Sequence, residues 1–262
     1  MLSIQDISVS YGKNPVPAVR DVSLEIKKGE IVGIVGESGS GKTTVIRAVL
    51  GYLPGGGRVT GGDILFDGSS LLKYSGEEWR KLRGTKISMI FQDSGAMINP
   101  IRKIGAQFVE YIRTHQKISK KDAYDKGVEM LTRMRLPEAD NIMKSCPFQL
   151  SGGMRQRVGI AMAMTFRPEL LLADEPTSAL DVTTQAQIVR QMMELRDRYR
   201  TGIIIVTHNL GVAAYMADRI LVMKDGRVVE SGARDQILHH TVQAYTRNLL
   251  DSVPSIGGHR FV

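Results

Sequence analysis

Residues Gly36-Glu37-Ser38-Gly39-Ser40-Gly41-Lys42-Thr43 satisfy every fixed position of the pattern G-x-x-x-x-G-K-[ST]. The apolar run Glu30-Ile31-Val32-Gly33-Ile34-Val35 precedes them, and the helix-like stretch Thr44-Val45-Ile46-Arg47-Ala48-Val49-Leu50 follows. The order strand, glycine turn, helix commits this part of the chain to an α/β arrangement. It also brings backbone N–H groups and the positive end of a helix dipole to one point, where a phosphate chain fits. A bare glycine-rich turn requires no lysine or threonine at those offsets. The pattern therefore implies a bound nucleoside triphosphate, with Gly36, Ser38, Gly39, Ser40, Gly41 and Thr44 around the phosphates. Lys42 reaches the β/γ-phosphates and the Thr43 hydroxyl reaches Mg²⁺.

At 262 residues the chain has the length of one large domain, or of one domain with an inserted lobe. Hydrophobic residues at 42% with charged residues at 24% suit an ordinary globular protein. No run approaches the roughly 20 apolar residues that cross a bilayer. The start, Met1-Leu2-Ser3-Ile4-Gln5-Asp6, lacks the basic and apolar regions of a signal peptide. A single cysteine, Cys146, excludes an internal disulfide and a cysteine-built metal cluster. These features lead us to expect a cytoplasmic protein. The net charge of +8 admits anionic partners, yet basic and acidic residues are interleaved. The densest basic cluster, Lys117 to Lys126, includes Asp122 and Asp125 and reads as a solvated helix face; charge alone decides no partner, and no nucleic-acid partner is among those expected.

Along the chain, Leu2, Ile4, Ile7 and Val9 suggest a first strand reaching Tyr11-Gly12. Val22-Ser23-Leu24-Glu25-Ile26 reads as a second, and Lys27-Lys28-Gly29 after it has hairpin-turn chemistry. Short strands are expected at Ile64-Leu65-Phe66, between glycine turns, and at Lys86 to Phe91. From about Pro100 to Phe166 helical spacing takes over, as in Val128, Leu131, Met134 and Leu136, so an inserted helical lobe is expected. Strand texture returns at Leu170 to Ala173 and Gly202 to Val206, with helices expected over Thr183 to Arg198 and Leu210 to Ala217. This alternation implies a largely parallel sheet covered on both faces. Ile220 to Glu230 reads as a hairpin turning at Asp225-Gly226, and Val242 to Leu250 as a last helix.

Asp174 and Glu175 follow the apolar run Leu170 to Ala173, at the strand edge where ligands sit in open α/β sheets. Adjacent strand residues point to opposite sides, so the two carboxylates can do different work. Asp174 would hold the Mg²⁺ shell, and Glu175 would orient the attacking water. Alone, such a pair equally suits a helix cap; beside a phosphate loop it suits hydrolysis. His208 ends the run Ile203 to Thr207 in a comparable place, where an imidazole can hydrogen-bond a γ-phosphate. His115, His239, His240 and His259 carry no such signal.

Leu150-Ser151-Gly152-Gly153-Met154-Arg155-Gln156-Arg157 resembles the signature motif of ABC-type ATPases. Other elements resemble that family in the same order. Tyr11 matches the aromatic residue that stacks on adenine, and Gln92 the glutamine joining the core to the helical lobe. Asp174-Glu175-Pro176 matches the second acidic segment, Ser178-Ala179-Leu180-Asp181 the loop after it, and His208 the switch histidine. The resemblance implies an α/β fold of the ABC-type P-loop class, with a mixed central sheet, an N-terminal antiparallel β subdomain and an inserted helical subdomain. It implies one domain over 1–262, with core at about 1–92 and 167–240, lobe at about 93–166 and a short C-terminal helix at about 241–262. ATP and Mg²⁺ are the implied cofactors, with Gln92 joining Thr43 and Asp174 at the metal. Gln92, Glu175, His208 and Lys42 are the implied catalytic residues. Ser151, Gly152 and Gly153 form a second anion site at a helix start, which by resemblance closes, with Asp181, on the nucleotide of another subunit.

Two spacers sharpen the resemblance. Phe91-Gln92-Asp93-Ser94-Gly95-Ala96-Met97-Ile98-Asn99-Pro100 and Asp181-Val182-Thr183-Thr184-Gln185-Ala186-Gln187-Ile188 are similar to those of oligopeptide, dipeptide and nickel importer ATPases. This implies an ATPase powering such an importer at the cytoplasmic face of the membrane. Its partners would be a sister ATPase or a second copy, two permease subunits and, indirectly, an extracytoplasmic solute-binding protein. The absence of cysteine after Cys146 and the end at Val262 resemble the shorter members, several of which serve nickel or metal chelates. A soluble complex resembling carbon–phosphorus lyase accessory proteins is the alternative. An ABC ATPase acting on DNA or ribosomes would need a long coiled coil, zinc-binding cysteines or a second ATPase domain, none of which is in the sequence.

Overall fold

The computed structural model describes residues 1–12, 16–178 and 180–251, with the backbone of 255–256 and 259–260. Strand β1 (Leu2–Tyr11) and β2 (Val19–Ile26) are followed by β3 (Ile31–Val35) and α1 (Lys42–Val49). Next come β4 (Gly57–Phe66), β5 (Ser69–Ser70), α2 (Gly76–Leu82) and β6 (Ile87–Ile90). Four helices then run without a strand: α3 (Ile104–His115), α4 (Lys120–Arg133), α5 (Ala139–Lys144) and α6 (Gly152–Met164). The alternation resumes with β7 (Leu170–Asp174), α7 (Val182–Tyr199), β8 (Gly202–Thr207) and α8 (Leu210–Met216). β9 (Arg219–Lys224), β10 (Arg227–Ala233), α9 (Arg234–His239) and α10 (Ala244–Asp251) lead to a two-stranded ladder of β11 (Ser255–Ile256) and β12 (His259–Arg260).

Strands β9, β3, β8, β7 and β6 are parallel neighbours, and β10 adds an antiparallel edge on β9. The sheet is therefore mixed. Alternation along its buried strands divides the core in two. Ile31 and Val35 of β3, with Ile203, Ile205, Leu171 and Ala173, pack toward α3 to α8. Val32 and Ile34, with Ile204, Val206, Leu170 and Leu172, pack toward α1 and the N-terminal sheet. Helix α8 approaches β3 so closely that a Cβ on Gly33 would lie 3.3 Å from the Ala217 Cβ.

That N-terminal sheet is antiparallel, in the order β2-β1-β4-β5. Its first strand departs from strict alternation between Ile4 and Ile7. Pairing shifts register there, Asp6 takes φ 47°, and Ser23 Oγ accepts the Asp6 N–H at 2.9 Å. The bulge restores the buried phase, so Leu2, Ile4, Ile7 and Val9 are all inside. Lys27-Lys28-Gly29 does turn, with Gly29 at φ 75°, but it makes no hairpin. β2 belongs to the antiparallel sheet and β3 to the mixed one, because β3 finds two parallel neighbours and β2 pairs with β1. Asp225 and Gly226, at φ 49° and 78°, do form the tight turn of a hairpin between β9 and β10. The last helix covers Ala244–Asp251, and the remainder of the expected 241–262 segment lies largely outside the described residues.

Candidate active site

At the end of β3 the chain enters its glycine turn with Gly36, Gly39 and Gly41 at φ 151°, 82° and 98°. Gly36 can carry no side chain, since a Cβ there would strike the Met223 carbonyl and approach Ser40 Oγ to 2.9 Å. The loop curls around the Lys42 ammonium, which donates to the carbonyls of Gly36 at 2.7 Å and Glu37 at 2.6 Å. Burial pushes the Lys42 pKa below the usual lysine value, against the pull of Glu175, Asp174 and Glu37. Helix α1 opens at Gly41 with neither a side-chain cap nor an acidic residue in its first turn. Its N-terminal amides are therefore available to an anion.

Two carboxylates meet this loop from the end of β7. Asp174, 1% exposed, accepts from the Thr43 hydroxyl at 2.8 Å, and Arg47 lies 4.0 Å from its other oxygen. Burial raises the Asp174 pKa, and the Thr43 hydrogen bond opposes that rise. Glu175 stands at φ 47°, in the left-handed region, with its N–H bonded to the Val206 carbonyl at 2.9 Å. The His208 Nδ1 lies 2.8 Å from Glu175 Oε1, within hydrogen-bond reach. Glu175 Oε2 is 2.6 Å from the same nitrogen, so the two carboxylate oxygens straddle Nδ1. These groups border an open cavity of about 650 Å³ lined by Ala18, Ser38, Gly39, Gly41, Lys42, Thr43, Thr44, Gln92, Glu175 and His208.

The expected site residues fall into three sets. Those just named share the cavity, with Gly36, Ser40 and Asp174 directly behind it as the groups that hold Lys42 and Thr43. Tyr11 stands at its margin, with its hydroxyl 3.5 Å from Thr44 Oγ1 and its ring against Gly57. Ser151, Gly152, Gly153 and Asp181 are outside. Ser151 caps α6 by accepting from the Met154 N–H at 3.3 Å, and its exposed surface does not face the cavity of its own chain. Asp181 caps α7, accepting the Thr184 N–H at 3.0 Å and its hydroxyl at 2.7 Å, which holds its carboxyl below the usual range. Ala179, between them in the expected loop, lies outside the described residues.

Three groups had no readable signal. Ala18 lines the cavity from the segment before β2. Arg47 approaches Asp174 from α1. The Tyr245 hydroxyl, on α10, accepts the Glu37 N–H of the phosphate loop at 3.1 Å. Among the described residues no group of three His, Cys, Asp or Glu side chains could hold a metal alone. The paired Thr43 and Asp174 oxygens, with the Gln92 amide in the same cavity, suit a hard cation that takes its other ligands from phosphate and water.

A phosphate loop at the carboxyl edge of a parallel sheet, opposed by a carboxylate and an imidazole, defines an α/β nucleoside-triphosphate hydrolase. The ABC transporter family matches residues 19–178, more than half of the chain. The oligopeptide transport ATP-binding protein OppD of Escherichia coli is 43% identical over 258 residues, covering 98% of this chain and 76% of that protein. The dipeptide transport ATP-binding protein DppD of Bacillus subtilis is 44% identical over 260 residues, covering 98% of this chain and 77% of that protein. Among solved structures, the dimeric post-hydrolysis state of the ATP-binding cassette MJ0796 bound to ADP and Pi superposes with a TM-score of 0.80. It shares 29% identity and covers 89% of this chain and 99% of that one. The chain belongs to the ABC transporter family. Within it, this is an ATP-binding subunit that hydrolyses ATP.

Proposed function

We propose that the chain powers import of oligopeptides or dipeptides, working as one of a pair of ATPase subunits on two membrane-spanning permeases. The observation that carries this reading is the division of its expected nucleotide groups. Lys42, Thr43, Gln92, Glu175 and His208 share one cavity, while the Ser151 cap and Asp181 lie apart from it. Half of each catalytic site then comes from a partner, either a sister ATPase or a second copy. In the roles this assigns, Lys42 and the α1 amides bind the phosphates, and Tyr11 packs on the adenine. Thr43, Asp174 and Gln92 would hold Mg²⁺, whose charge neutralises the β- and γ-phosphates. Glu175, turned by His208, orients the attacking water. Ser151, Gly152, Gly153 and Asp181 close on the partner's nucleotide. ATP then favours the closed pair and hydrolysis releases it.

An apolar cavity of about 280 Å³, bordered by Leu50, Phe91, Met97, Tyr111 and Gly159, supports docking of a permease segment at the base of the helical lobe. Met97, which lines it, is 60% exposed. Placement on the cytoplasmic face of the membrane, with a solute-binding protein on the far side, belongs to the same reading. So does the division into a core (1–92 and 167–240), an inserted lobe (93–166) and a C-terminal segment, supported by four strand-free helices between β6 and β7. The peptide cargo rests on the names of the relatives, which speak of oligopeptides and dipeptides. Nickel or metal-chelate cargo has no comparable support here, and the soluble-complex alternative is not favoured by relatives named for transport.

Co-purification tests the assembly. Permease subunits recovered with the tagged chain from detergent extracts, and ATP turnover per chain that falls on dilution of the isolated subunit, are expected. Full turnover at dilutions where no pairing occurs would overturn the paired reading.

A further inference from the structure

Gln156 lies five residues into the α6 side of Ser151, about 7.5 Å along the helix. Its side chain is buried, with 7% of the residue exposed. The amide spans two loops. Oε1 accepts the Ser94 N–H at 3.1 Å, and Nε2 donates to the Pro176 carbonyl at 3.0 Å. Both partners are backbone groups of fixed polarity, which sets the orientation of the amide and requires both of its ends.

The two loops are those that carry the reacting groups. Ser94 is two residues after Gln92, and Pro176 directly follows Glu175. Ser94 is also held by donation from its hydroxyl to the Phe91 carbonyl at 2.8 Å. The α6 backbone presses against it at Gly159, where an added Cβ would come within 2.5 Å of the Ser94 Cβ. Glu175 keeps its left-handed φ of 47° between two anchors, the Val206 carbonyl on its own N–H and Gln156 on the following carbonyl.

We propose that Gln156 is a positioning residue that ties the Gln92 and Glu175 loops to α6, the helix whose first turn serves the partner's nucleotide. The inference rests on the paired reading above. A shift of the Ser151 end of α6, driven by the partner's γ-phosphate, moves the water-orienting carboxylate of this chain with it. The two sites of a pair therefore fire together.

The test uses the assembled transporter with Gln156→Met and Gln156→Glu. The first keeps volume and loses both hydrogen bonds; the second keeps the acceptor for Ser94 and loses the donor for Pro176. In both, kcat should fall between about tenfold and about 100-fold, as for a displaced catalytic group. The ATP Kd should stay within about twofold, which separates positioning from a general loss of fold. The Hill coefficient for ATP should drop toward about one. If the methionine variant fails to assemble, the isosteric glutamate variant carries the test. Wild-type kcat and Hill coefficient in either assembled variant, or a Kd that worsens in step with kcat, would overturn the proposal. A wild-type transporter without cooperativity would also overturn it, whereas wild-type turnover per chain that does not fall on dilution would instead sink the paired reading on which it stands.

Discussion

His208 Nδ1 reaches Glu175 Oε1 at 2.8 Å across 33 residues of sequence, from the end of β8 to the end of β7. The histidine is two-thirds exposed while only 13% of the glutamate side chain is, so the imidazole covers the carboxylate from the solvent side. Held by the imidazole, the carboxylate is kept at the wall of the cavity, where it can orient a water. Glu175→Gln should lower kcat by about 10² to 10⁴-fold while ATP binding persists and the closed pair accumulates. Turnover by phosphate release, and pairing by light scattering with ATP, check both halves. Wild-type turnover in that variant would remove Glu175 from its role.

Asp174 supplies a pH dependence. Its folded-state pKa is raised by burial, so the folded chain holds the proton more tightly than the unfolded chain. Stability tied to this group is fully present below the ordinary aspartate value and is lost as pH climbs through the raised one. Wild type therefore carries the cost of a buried carboxylate near neutral pH, and Asp174→Asn should melt higher there without nucleotide. A shift on the order of 2–4 °C would correspond to each kcal/mol relieved. The advantage should shrink as pH falls toward about 4, while Mg²⁺-dependent ATPase is lost at all pH values. Thermal melts across that range would read a pH-independent difference as evidence against the buried charge.

Tyr11 brings its hydroxyl to 3.5 Å from Oγ1 of Thr44, a residue that lines the cavity. Base stacking on an aromatic side chain contributes about 1–3 kcal/mol, so Tyr11→Ala should weaken ATP about tenfold and leave kcat at saturation near wild type. Tyr11→Phe should keep the affinity. Calorimetric titration of both variants decides it, and equal affinities in Ala and Phe would exclude stacking.

Ser151 has two separable duties. Ser151→Ala removes the α6 cap, with an expected stability loss of about 1 kcal/mol. Ser151→Arg fills the exposed helix start, and should abolish hydrolysis at the partner's site while leaving ATP binding by this chain's own loop intact. Nucleotide trapping in a pair with one marked subunit distinguishes the two sites. Coupled transport at the wild-type rate in the arginine variant would contradict a composite site.

Much of this was legible before any coordinates. The phosphate loop is a local object: a strand end, three glycines in positive φ and a helix start lie within one short segment. The same holds for the Asp225-Gly226 turn and the buried strands β7 and β8, whose continuous apolar runs need both faces covered. Reading failed where geometry depended on a distant neighbour. The turn after β2 has hairpin residues, yet the strands it joins enter different sheets. Gln156 was only one letter of a motif until packing set its amide between Ser94 and Pro176.

By itself, the sequence determined the parts with local causes: where the backbone could turn through glycine, which helix start stood open to phosphate, and which runs had to be buried. Tertiary structure decided which of those parts meet. Thr43 and Asp174 are 131 residues apart in the chain and 2.8 Å apart in space because β3 and β7 both flank β8. Tyr245 reaches Glu37 across 208 residues for a similar reason, since α10 returns to the loop after β3. Spacing along a chain carries no record of such contacts, because they arise only when whole strands and helices bury their apolar faces together.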